Sequence, residues 1–148
     1  MVNPRQTGYN LGKMFCFHRD YNLGDSHDLH TSDYQNWQDM GVKLAKEYDA
    51  AVIIPLYLYD HTGISIATHP FICRWDSGQV GYILATKSDV CKRFGSKYCT
   101  KRIKRLTRTF LEIEVEEYDY YLNHEDDEYY LNYGDDEHDE PKDDLTGC

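Results

Sequence analysis

The chain reads as an α+β fold, with a small antiparallel sheet, two main helices packed on it and an acidic C-terminal extension. Three observations predict this. Residues 50–86 (AAVIIPLYLYDHTGISIATHPFICRWDSGQVGYILAT) alternate β-branched and aromatic runs with turn residues, as consecutive strands do. Residues 33–48 and 101–122 repeat apolar side chains at helical spacing. Acidic residues crowd the end of the chain, where apolar ones are few.

In chain order, Met14-Phe15-Cys16-Phe17-His18 is a first strand, followed by a polar loop, residues 19–31. Ser32 is the expected N-cap of the first helix, with Asp33 in its first turn and Trp37, Met40, Gly41, Leu44, Ala45 and Tyr48 on its apolar side. Val52, Ile53 and Ile54 predict a central strand buried on both faces, and Pro55 a bulge or an edge. Turns at Asp60-His61-Thr62-Gly63 and Trp75-Asp76-Ser77-Gly78-Gln79 divide residues 52–86 into a three-strand meander. Ser88 caps a short helix ending at Gly95, and Thr100 caps the long one. On the long helix, Ile103, Leu106, Phe110, Ile113 and Tyr121 trace the expected core stripe, with Leu111, Val115, Tyr118 and Leu122 beside it. Residues 128–133 (EYYLNY) read as one more edge strand. A single domain over 1–133 and an acidic mobile tail over 134–148 follow.

Composition excludes several classes. The five cysteines have no C-x-x-C spacing, so neither a zinc ribbon nor a disulfide framework is indicated, and reduced thiols in a cytosol are expected. The first residues lack an apolar signal region, and no run approaches membrane-spanning length. Phosphate-loop, dinucleotide and zincin motifs are missing, so no cofactor and no metal is assigned.

The net charge of −10 conceals a split. Residues 1–111 carry 15 basic and 10 acidic side chains, whereas residues 112–148 carry one basic and 16 acidic. The long helix is polarised against its own macrodipole. Lys101, Arg102, Lys104, Arg105 and Arg108 occupy its N-terminal half, and Glu112, Glu114, Glu116, Glu117 and Asp119 its C-terminal half. Such an order calls for tertiary partners or a ligand.

Three segments, NLGKMFCFHRDYNLGD (10–25), PLYLYDHTGISIATHPFICRWDSGQVGYI (55–83) and EVEEYDYYL (114–122), resemble a family of small bacteriophage proteins. That family shares H-R-x-Y-N-L-G-D, then P-L-Y-L-Y-D-H-[ST]-G, then W-D-S-G-Q-[VI]-G, in this order. The resemblance implies a phage origin and work in the host cytoplasm, and it implies no activity. The family continues after the helix with a Gly-rich strand, and here an acidic extension stands in its place.

Two kinds of site are expected. His18, Asp25, His61 and Asp76 are ligand-site candidates, because His and Asp on connections are where binding groups concentrate. Read as an enzyme, the same loops with Cys16 or Cys73 could assemble a thiol and its base. Glu117, Asp119, Glu125, Asp126, Asp127, Glu128, Tyr129 and Tyr133 are the expected partner-binding surface. Spaced carboxylates imitate duplex phosphates, and tyrosines supply contact area. The leading expectation is therefore a non-enzymatic phage accessory protein that binds and inhibits a basic, nucleic-acid-binding host protein, as an acidic nucleic-acid mimic acting on a defence nuclease such as a CRISPR effector. A small enzyme or a ligand- or metal-binding protein using the His/Asp/Cys loops, with His18, Asp25, His27, Asp28 and His30 as the possible metal ligands, is the alternative. Direct nucleic-acid binding through the eight cations of 92–108 is a third, disfavoured reading, because they can pair with the protein's own acidic end.

Overall fold

A computed structural model describes residues 2–124. Four strands, β1 (Lys13–Cys16), β2 (Ala50–Asp60), β3 (Ile64–Ala67) and β4 (Ser77–Thr86), form one antiparallel sheet in the order β1-β4-β2-β3. Three helices pack on it: α1 (Trp37–Glu47), α2 (Lys87–Phe94) and α3 (Lys101–His124). The α+β expectation holds. The expected strand at 128–133 and the acidic tail lie outside the described residues.

The meander does not form. β4 pairs with β2 from Ala50↔Thr86 to Tyr59↔Ser77, and β3 is left on the far side of β2. β3 offers only four residues for pairing, while β2 offers eleven, so the longer ladder wins. β4 is consequently the strand buried on both faces, from Val80 to Ala85. β2 is interior too, but only its Ile54, Leu56 and Leu58 side is fully covered. Pro55 sits where β3 no longer accompanies β2, whose pairing with β3 spans only Tyr57 to Asp60. A missing N–H is tolerated on such a locally open side.

The two faces have separate cores. Met14, Ile54, Leu56, Ile83 and Ala85 meet Val90, Leu111, Val115 and Tyr118 on the α2–α3 side. Phe15, Tyr82 and Leu84 meet Met40 and Leu44 on the α1 side. A register shift opposite Leu56 and Tyr57 leaves Val80 as an extra residue in β4 and turns it to the α3 side, out of phase with Tyr82 and Leu84. At Gly81 a side chain would collide with the carbonyl oxygen of Phe15, so β1 reaches β4 only because this residue is glycine.

Helix boundaries differ from the sequence reading in ways that capping explains. Residues 31–33 form a separate 3-10 turn and Tyr34 is extended, so Ser32 caps nothing longer. Asn36 starts α1: its Oδ1 accepts from the Asp39 N–H at 2.8 Å, and Asp39 returns the bond to the Gln35 N–H at 3.0 Å. Thr86, not Ser88, caps α2, accepting from the Asp89 N–H at 3.0 Å, because β4 runs directly into the helix. Gly95 ends α2 in the left-handed region at φ 62°, and Thr100 caps α3 through the Ile103 N–H at 3.2 Å, both as expected.

On α3 the stripe that turns inward is Thr107, Leu111, Glu114, Val115 and Tyr118. Leu106, Phe110 and Ile113, expected in the core, remain exposed. The reason is Arg5. Its guanidinium lies under the helix and needs Glu114 facing it, which fixes the helix rotation. The Arg5 Nη1 donates to Glu114 Oε1 at 3.0 Å, and Nε and Nη2 donate to the two oxygens of Asp25, each at 2.9 Å. The Leu11, Gly12 and Met14 N–H groups also donate to these carboxylates. Burial alone would lower the Arg5 pKa, but the bonds and charge of Asp25, then of Glu114, outweigh it and hold the group above its ordinary value.

Candidate functional site

The strand order decides which loops meet. β3 and β4 both run antiparallel to β2, so residues 68–76 must return to the end of β2 from which the Asp60–Gly63 turn leaves. The Asp60 N–H donates to the Asp76 carbonyl at 2.7 Å, closing the two turns together. β1, also antiparallel to β4, ends at Cys16 opposite Gly81 and delivers Phe17 and His18 to the same end. The H-R-D-Y-N, Y-D-H-T-G and W-D-S-G-Q segments thus converge on one recess of about 380 Å3.

Phe17, Leu58 and Val80 line the apolar part of this recess. His18, Asp60, Trp75, Asp76, Ser77 and Gln79 supply the polar part. Each carboxylate is tethered. Asp60 Oδ1 accepts from the Tyr21 hydroxyl at 3.3 Å, and Asp76 Oδ2 is 2.9 Å from His61 Nδ1. The charge of Asp60 raises the pKa of Tyr21, with a smaller contribution from desolvation, so the phenol stays protonated and donating. His18 accepts the Asp20 N–H on Nδ1 at 3.1 Å, which places the proton of the neutral ring on Nε2, and its ring lies 4.8 Å from that of Tyr21. His61 stacks on Tyr59, which stacks in turn on Phe71. Trp75 is 88% exposed beside the opening. Two oriented carboxylates next to open aromatic surface suit a cationic group that can take both charge contact and a π face.

Of the four ligand-site candidates, His18 and Asp76 line the recess and His61 is bonded to its wall. Asp25 is diverted elsewhere: both its oxygens are occupied by Arg5, and it serves the buried clamp. A nearby His on the same loop is also spent on the fold, since His27 Nε2 lies 2.9 Å from the Cys16 carbonyl. Among the described residues no three His, Cys, Asp or Glu side chains converge as a metal site. Among the described residues, none of the nucleophile candidates is poised here, and Cys73, expected as a reduced thiol, is disulfide-bonded. Ser77 Oγ donates to the Cys73 carbonyl, and burial, with Asp25 nearby, pushes the Cys16 thiol up to about 12.

The expected partner-binding surface is only partly described. Glu117 is exposed and lines a 490 Å3 groove with Val2, Ile113, Glu116 and Tyr120. Asp119 is engaged by the fold. It is two residues from Glu117, hence on another side of the helix, and its Oδ1 accepts from Ser65 Oγ and the Ile66 N–H, each at 2.9 Å. It holds the outer edge of β3. Glu125, Asp126, Asp127, Glu128, Tyr129 and Tyr133 lie outside the described residues. Lys101, Arg102, Lys104 and Arg105 are exposed and make no ion pair with another described residue, whereas Arg108 reaches Glu112 at 3.4 Å.

Arg5 and Glu114 were missed as a pair by sequence reasoning. One signal existed: Glu114 keeps the helical phase of Leu111, Val115 and Tyr118, and a carboxylate on a buried stripe demands a buried cation. Among the described residues no helix is long and apolar enough to cross a membrane. No known protein family, no characterised protein and no solved structure matches the chain.

Proposed function

We propose that the protein is a phage accessory protein that works in the host cytoplasm by binding, and that its recess receives an arginine or lysine side chain from the basic surface of a host protein. The observation that carries this reading is the meeting of three sequence-distant segments around two tethered carboxylates and an open tryptophan. Carboxylates held by Tyr21 and His61 are oriented before a ligand arrives, which reduces the ordering cost of binding. Host proteins with such basic surfaces are typically nucleic-acid-binding, and a defence nuclease such as a CRISPR effector fits that chemistry.

The test uses an arginine-rich peptide as probe, with a lysine-rich and a glutamate-rich peptide beside it, at two salt concentrations. The intact protein should bind the cationic peptides and not the acidic one. Asp60→Asn and Asp76→Asn should each weaken binding about tenfold, equivalent to roughly 1.4 kcal/mol. Undiminished affinity in both variants overturns the reading.

A second reading has its own support in the groove where Glu116 and Glu117 flank Ile113 and Tyr120. There the acidic end of the chain acts as a nucleic-acid mimic on the same class of basic partner. Neutralising Glu117, Glu125, Asp126, Asp127 and Glu128 should then slow association at low salt and leave dissociation nearly unchanged. The recess variants should show the opposite pattern, which separates the two surfaces.

A further inference from the structure

Away from the recess, two thiols face each other where α2 gives way to α3. Cys91 opens the last turn of α2. Gly95 then reverses the chain, with the Ser96 N–H bonded to the Cys91 carbonyl at 3.0 Å. A local turn, in which Ser96 Oγ donates to the Tyr98 carbonyl at 2.7 Å and accepts from the Tyr98 N–H at 3.2 Å, brings Cys99 back. The result is a Cys91–Cys99 Sγ separation of 3.7 Å between two free thiols.

We propose that Cys91 and Cys99 are a dithiol modification site, closed to a disulfide by exchange with a low-molecular-weight disulfide of the glutathione type. A disulfide bond is about 2.05 Å long, so closure requires the sulfurs to approach by under about 2 Å, within the reach of side-chain rotation. Both residues are only half-buried, and Gly95, Lys97 and Tyr98 around them are exposed, so a small disulfide has access. Closure gives up the long 3.9 Å contact of Cys99 Sγ with the Lys87 carbonyl, and the six residues between the α2 and α3 helices form the loop that would adapt.

The exchange proceeds in two steps. One cysteine thiolate attacks the small disulfide, forming a mixed disulfide and releasing one small thiolate. The second cysteine thiolate then attacks the protein sulfur of that mixed disulfide and expels the other. Two electrons pass from the protein dithiol to the oxidant, and the two thiol protons end on the released thiols. Burial, then the hydrogen bond shared with Cys91, raise the Cys99 pKa against the opposing charges of Lys104 and Lys87. Exchange should therefore speed up with rising pH. Closure would tie the end of α2 to the start of α3 and fix the loop carrying Lys97 between the cations Lys92, Arg93 and Lys101.

The site is tested on the full chain. The protein is incubated with oxidised glutathione at about pH 8, where thiolates are available. Remaining thiols are alkylated, and the protein is digested with trypsin without reductant. Lys92, Arg93 and Lys97 lie between the two cysteines, so trypsin separates them unless a disulfide holds the fragments. The expected product is the Cys91 fragment joined to the Cys99 fragment, lighter by two hydrogen atoms than the reduced pair and separated again by reductant. Recovery of both cysteines alkylated, or as stable glutathione adducts, overturns the proposal.

Discussion

Two regions of this molecule use the same chemistry to opposite ends. Arg5 with Asp25 and Glu114, and His61 with Asp76, are pairs of a basic side chain and a carboxylate at 2.9–3.0 Å. In the clamp the Arg5 side chain is 1% exposed, and four backbone groups bond to it: the Gly12 carbonyl accepts from the guanidinium, and the Leu11, Gly12 and Met14 N–H groups donate to the carboxylates. In the recess the paired side chains are 55% and 36% exposed. Water screens the second pair, whereas in the clamp it reaches only the outer side of Asp25 and not the Arg5–Glu114 contact. A buried pair is therefore a structural requirement once it exists, while an exposed pair contributes little to stability and leaves its charge available to a partner.

Breaking the clamp should have the largest effect. Arg5→Ala leaves the buried Glu114 and the half-buried Asp25 without their cation, and a loss of about 3–5 kcal/mol in urea unfolding is expected. Glu114→Gln should cost less, since its remaining carbonyl oxygen still accepts from the Leu11 or Gly12 N–H. A larger loss for Glu114→Gln than for Arg5→Ala would show that the charge of Glu114, not the sealing of Arg5, dominates.

Next in size is the roof of the clamp. The Tyr118 hydroxyl accepts from the Gly24 N–H at 2.9 Å, and Gly24 adjoins Asp25. Tyr118→Phe should orphan that N–H and lower stability by about 1–3 kcal/mol, read from the same unfolding curves. A neutral result would mean that water replaces the hydroxyl.

The recess should respond in the other direction. Asp76→Asn and His61→Ala should change unfolding free energy by less than about 1 kcal/mol, while Asp76→Asn impairs capture of the cationic peptide. Thermal melts run beside the binding assay compare the regions directly. A stability loss as large as that of Arg5→Ala would make the His61–Asp76 pair structural and remove the contrast.

The smallest effect concerns an exposed carboxylate that serves the fold alone. The Gln35 N–H, then Lys43, hold the Asp39 pKa below its ordinary value. Its contribution is fully present above the ordinary aspartate pKa and fades as pH falls through the lower folded value. Asp39→Asn should therefore flatten the acid limb of the stability–pH curve slightly and leave the limb above pH ~5 parallel to that of the unmodified protein.

Much of the fold was legible because it depends on local chemistry. Gly95 and Thr100 bound their helices as their side chains require, and Pro55 marks the place where β2 loses a neighbour. Other signals were ambiguous for a physical reason. Ser32 and Asn36 are both capable caps, and Asn36 prevails because Asp39 returns its hydrogen bond. On α3 two adjacent apolar stripes compete, and the choice falls to the one that carries Glu114 toward Arg5. That partner is 109 positions away, beyond anything periodicity can register.

The sequence by itself determined the α+β class, the approximate extent of the strands and helices, and the polarity of the two halves of α3, because composition and periodicity act over a few residues. It also singled out His18, His61 and Asp76 as exposed binding candidates. Tertiary structure alone decided that they belong together. A meander would have set the Asp60–Gly63 and Trp75–Gln79 turns at opposite ends of the sheet. Pairing β4 with β2 instead of β3 brings them to the same end, and the antiparallel β1 delivers His18 beside them. The physical reason is the ladder: β4 gains a longer set of hydrogen bonds from β2 than the four residues of β3 can supply, and that choice is made between strands, not within them.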